Sequence, residues 1–80
     1  MAQQVQQATG LILAVQEQRF RLFTESGQSL LLTLANASRT RYEDLVAWKD
    51  RNQPVTVFYT GEPNFARGVA YRFKAGPPAT

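Results

Sequence analysis

The side chains with the most chemical character in this chain are cations and flat rings, and they alternate along short stretches. Arg19, Arg21 and Phe23 fall at every second position; Arg72 and Lys74 repeat the spacing near the other end, with Phe65 and Arg67 shortly before them. Cations spaced in this way can follow the phosphates of a polyanion. Rings offer a surface on which bases stack, each stack being worth roughly 1–3 kcal/mol. Catalysis has poorer material. There is no histidine and no cysteine, which removes imidazole acid–base chemistry, thiolate nucleophiles, disulfides and the usual zinc ligands together. The carboxylates Glu17, Glu25, Glu43, Asp44, Asp50 and Glu62 stand at no spacing that forces two of them together. The five glycines are scattered, and no glycine-rich run precedes a helix to cradle a phosphate. The expectation is a binding protein rather than an enzyme, with no cofactor and no metal.

Charge placement supports the same reading without deciding it. Nine Lys and Arg face six Asp and Glu, a net charge of +3. Residues 1–16 carry no charged side chain, whereas the chain after Glu62 holds Arg67, Arg72 and Lys74 and no acid. A basic C-terminal strand fits a polyanionic partner. It fits a merely solvated surface equally well.

These residues need a scaffold, and 80 residues provide for one core. The glutamine-rich residues 1–8 read as a flexible tail, with regular structure beginning at Thr9. Residues 9–15 are apolar and β-branched and read as a buried first strand. In the second strand, residues 19–24, Phe20 and Leu22 alternate with Arg19, Arg21 and Phe23, so one face is apolar and the other basic and aromatic. Glu25, Ser26, Gly27 and Gln28 read as a hairpin turn in which Gly27 supplies a positive φ. A third strand, 29–34, turns Leu30, Leu32 and Leu34 inward and Leu31 and Thr33 outward.

The spacing predicts a helix over 40–51, with Thr40 as N-cap and Glu43 three residues on as its capping-box partner. Tyr42, Leu45, Val46 and Lys49 share one helical face, with Trp48 beside Leu45 on its flank, and Tyr42 and Trp48 are expected to plug the barrel end. Asn52 and Pro54 stop the helix. Residues 55–60 and 66–74 read as the last two strands, with Tyr71 and Phe73 as core residues of the second. Residues 75–80 read as a flexible tail, of which 76–80, with two prolines, are not expected to pair in a sheet. One domain spans 9–74.

The order is three strands, one helix, two strands (β-β-β-α-β-β). In that order, with the Gly10-Leu11-Ile12 opening and the Gly27 hairpin, the chain resembles an OB-fold: a mainly β, five-stranded Greek-key barrel of bacterial style with a helix between strands three and four. The resemblance is one of architecture. It implies a single-stranded DNA or RNA partner on the outer face of strands two and three and the adjoining loops. The residues that would carry binding are Arg19, Arg21, Phe23, Phe65, Arg67, Arg72 and Lys74, on one connected basic side. Each also has a plainer reading: Phe23 can close one end of the core, Phe65 can plug the barrel mouth, and the cations can be solvated or guard a strand edge.

The same face carries an alternative. If Phe23, Leu31 and Phe58 are exposed together, they form an apolar patch suited to a protein partner or a homodimer. No membrane role is expected, because no stretch nears the roughly 20 apolar residues of a span. The start lacks the basic and apolar regions of a signal peptide, so the expected location is the cytoplasm.

Overall fold

The computed structural model describes residues 5–61 and 68–75. Five strands close into a barrel: β1 (Gln6–Gln16), β2 (Arg19–Thr24), β3 (Ser29–Leu34), β4 (Val55–Thr60) and β5 (Gly68–Ala75). The single helix among the described residues, α1 (Tyr42–Asp50), joins β3 to β4. Around the barrel the order is β1-β2-β3-β5-β4, with β4 returning to β1. All neighbours are antiparallel except β3 and β5. This is the mainly β, OB-like architecture expected from the element order.

β1 makes closure possible because it belongs to two pairings. Residues 6–10 pair with β4 and residues 10–16 with β2, and Gly10 takes part in both, opposite Val55 and Thr24. At that point the backbones come so close that a Cβ on Gly10 would lie 2.0 Å from the Phe23 carbonyl oxygen and 2.7 Å from the Thr24 Cα. Only glycine fits.

Most of the core comes from alternate residues of β2, β3 and β4: Phe20 and Leu22, Leu30, Leu32 and Leu34, and Val55, Val57 and Tyr59 point inward, joined by Ile12 of β1 and Ala70 of β5. Leu45 of α1 joins them with no exposed surface. Phe73 packs from β5, its ring centroid 5.5 Å from Phe20 and 5.8 Å from Trp48, and so ties helix, β2 and β5 together.

Several sequence expectations are corrected. β1 begins at Gln6 rather than Thr9, because Gln6, Gln7 and Ala8 pair with Tyr59, Phe58 and Val57. Backbone pairing along β4 needs no apolar side chains on the added residues, so composition gave no sign of it. β1 is also not buried throughout: the register shifts between Ile12 and Ala14, and Leu13, the extra residue of that bulge, is 53% exposed. The bulge reverses the alternation, bringing Val15 opposite Phe20 and turning Ala14 outward opposite Arg21. β5 carries a second bulge, where Phe58 pairs with Arg72 but Tyr59 with Ala70. Tyr71 is left over and exposed instead of entering the core.

The helix start moves by one residue. Arg41, not Thr40, is the N-cap, and Asp44 rather than Glu43 accepts a hydrogen bond from the Arg41 amide at 3.0 Å. A guanidinium has no acceptor with which to complete a reciprocal box. Thr40 instead donates its amide to the Ser38 hydroxyl at 3.1 Å. Tyr42, in the first turn, stays exposed, so Leu45 and Trp48 make the packing contact. The helix ends as expected: Asn52 takes a φ of 53°, and the amides of Asn52 and Gln53 donate to the carbonyls of Lys49 and Trp48, a Schellman arrangement.

Two glycine substitutions separate steric from conformational constraint. Gly10→Ala should cost about 3 kcal/mol, since two strand backbones must move apart. Gly27→Ala should cost about 1 kcal/mol, because its φ of 91° is unfavourable for alanine but nothing lies within 4 Å of the added carbon. Denaturant midpoints of the two variants measure the difference, and equal losses would contradict the close approach at Gly10.

Candidate nucleic-acid interface

β2 turns Phe20 and Leu22 inward and Arg19, Arg21 and Phe23 outward, with Phe23 43% exposed and therefore not a closing residue of the core. The register gives each a neighbour on both sides. Arg19 lies between Gln16 and Thr33, Arg21 between Ala14 and Leu31, and Phe23 between Leu11 and Ser29. None of these six neighbours is charged. Small Ala14 and half-buried Leu31 leave a groove of about 350 Å³ alongside the two arginines. A second depression of about 310 Å³ lies by Leu11, Phe23 and Pro54, with Glu25 at its border. Among the described residues the one ion pair joins Lys49 to Asp50 at 3.1 Å, so Arg19 and Arg21 meet no carboxylate there.

The remaining cations form a different group. Arg72 and Lys74 stand opposite Phe58 and Thr56 of β4. The Arg72 guanidinium carbon lies 5.7 Å from the centroid of the Phe58 ring, a cation–π contact. β3 reaches β5 only through Leu32, Thr33 and Leu34, whose partners end at Ala70. Arg72 and Lys74 thus lie past the end of β3, and their pairing partners are on β4 rather than β2. Phe65 and Arg67 lie outside the described residues.

The three apolar residues of the alternative patch also divide. Phe23 and Leu31 are diagonal neighbours on β2 and β3, whereas Phe58 is on β4 under Arg72, with Gln7 on its other side. Leu11 takes the place beside Phe23 that Phe58 was expected to hold.

Sequence reasoning overlooked Arg39 and Tyr71. With Ser38, Thr40 and Arg72 they line a cleft of about 550 Å³ between the 35–41 connection and β5. Two arginines in one short connection were a visible signal, but a loop has no period from which their direction can be read. Tyr71 faces out only because of the bulge.

Among the described residues no helix is long and apolar enough to cross a membrane. No protein-family model, curated protein or solved structure matches the chain.

The bulge assignment has a direct check. Tyr71→Ala should change stability by less than about 0.5 kcal/mol, as an exposed substitution does. Phe73→Ala should cost about 2–3 kcal/mol through its lost contacts with Phe20 and Trp48. Comparable losses in chemical unfolding would return Tyr71 to the core.

Proposed function

We propose that the chain is a cytoplasmic, non-enzymatic module that binds single-stranded nucleic acid across β2. The observation that carries this reading is the outward row Arg19, Arg21 and Phe23, with uncharged neighbours on both flanking strands. Two guanidiniums two residues apart, roughly 6–7 Å along a strand, can each meet a phosphate. Phe23 at the end of the row offers a face for a base, and the groove by Ala14 and Leu31 gives the strand room to lie against the sheet. Such contacts follow the backbone and stack without reading base edges, so sequence preference should be weak.

Titration of the protein against single-stranded DNA and RNA over a range of salt tests this. Arg19→Gln with Arg21→Gln should flatten the log–log salt slope by about 1.4, two phosphate contacts at ~0.7 each on a single strand. Phe23→Ala should weaken binding by about 1–3 kcal/mol with little change in slope. A slope that survives loss of both arginines would reject the site.

A protein-contact reading is favoured by one observation, the apolar run Leu11, Phe23 and Leu31 across three adjacent strands. On that reading the chain self-associates through this face, and Leu31→Glu shifts it toward monomer while the fold persists. Sedimentation at increasing concentration gives the answer: a wild-type chain that stays monomeric at millimolar concentration removes self-association through this face.

A further inference from the structure

The β2 reading leaves the cleft beside β5 without a role. One wall is Ser38, Arg39 and Thr40; the other is Tyr71, Arg72 and Phe73. Its volume of about 550 Å³ is that of a small-molecule site, for which roughly 300–1,000 Å³ is usual. The walls are far apart in sequence but fastened together. The Ala35 amide donates to the Ala70 carbonyl at 2.9 Å, clamping the connection to β5 immediately before the bulge. Within the connection the Ser38 amide donates to the Ala35 carbonyl and the Thr40 amide to the Ser38 hydroxyl, each at 3.1 Å. The loop carrying Arg39 is therefore held in shape before any ligand arrives.

The chemistry of the walls is specific. Among the described residues no carboxylate lines the cleft, and two guanidiniums do. Among the described residues neither Arg39 nor Arg72 makes a side-chain hydrogen bond or ion pair. Arg72 lies over the Phe58 ring, and that contact leaves in-plane N–H donors for an anion. The bulge adds an exposed ring, Tyr71, on the same wall. Two cations and one ring converging on a preformed cleft match a ligand with one phosphate and one aromatic base.

We propose that this cleft binds a nucleotide unit, its phosphate between Arg39 and Arg72 and its base against Tyr71. The chemistry is the same in a free nucleotide and in the terminal nucleotide of a strand. The site is independent of β2, and either can fail alone.

The test is titration of the full, isotope-labelled chain at low salt with adenosine monophosphate, adenosine and inorganic phosphate, followed at backbone amides. The monophosphate should saturably shift the amides of residues 38–40 and 71–73. Inorganic phosphate should shift the same amides more weakly, and adenosine much less. Arg39→Gln, a change at an exposed loop residue, should weaken the monophosphate about tenfold. Tyr71→Ala should weaken it about fivefold or more while leaving phosphate unchanged, and Tyr71→Phe should restore it. Arg19→Gln with Arg21→Gln should leave it unaffected, which separates this site from the β2 face. Competition by a 5′-phosphorylated thymidine hexamer assigns the site to strand ends; its absence, with the monophosphate bound, assigns it to free nucleotides. The proposal is overturned if no saturable shift reaches these amides, if Arg39→Gln changes nothing, or if Tyr71→Ala affects monophosphate and phosphate alike.

Discussion

The close approach of β1 to β2 at Gly10 is the constraint on which the barrel rests. A strand can serve two neighbours at once only if its backbone turns sharply from one to the other. Here the turn leaves no space for even one carbon beyond the main chain. Closure relieves a small β-rich chain of exposed strand edges. With no cysteine available, it must be held by packing and ladder hydrogen bonds. The contact between Phe73, Phe20 and Trp48 then ties the helix to both halves of the ring.

The same geometry governs where surface chemistry can lie. Because β1 divides its pairing at Gly10, the outer surface has one region around β1, β2 and β3 and another around β1, β4 and β5. Cations that look alike in sequence are divided between them. Arg19 and Arg21 rest among uncharged strand residues, while Arg72 is steadied by an aromatic ring and faces a loop. One polyanion-binding row and one compact cleft are different devices, although both are made from arginine and an aromatic.

How much of this was legible in the sequence depends on whether alternation is locally unbroken. β2 and β3 keep their period throughout, so their ends and their inward residues could be read directly, including the outward row on β2, and β4 keeps it as far as Tyr59. β1 and β5 each contain an extra residue, Leu13 and Tyr71, and one period-2 reading cannot serve both sides of it: in β1 it fails after Leu13, and in β5 it fits Phe73 but misplaces Tyr71 and Ala70. Apolar residues give no warning of a bulge, because leucine and tyrosine suit either side of a strand. The helix was visible from its apolar spacing. Its cap was misread because serine, threonine and arginine crowd one short connection, and the Ser38 hydroxyl took the Thr40 amide. The pairing of Gln6, Gln7 and Ala8 was hidden for a different reason: backbone ladders do not require apolar side chains.

Among the described residues the junction of β3 with β5 is the shortest seam of the ring. It consists of three residue pairs, the first joining Leu32 to Gly68 across 36 positions of chain, whereas β2 meets β3 through a five-residue turn-linked ladder. With three pairs against five or six at every other seam, the junction has the fewest ladder contacts to lose when the ring opens locally. In such an opening β3 presents a bare edge next to the arginines of β2, so the barrel's breathing motion and its proposed binding surface occupy neighbouring strands.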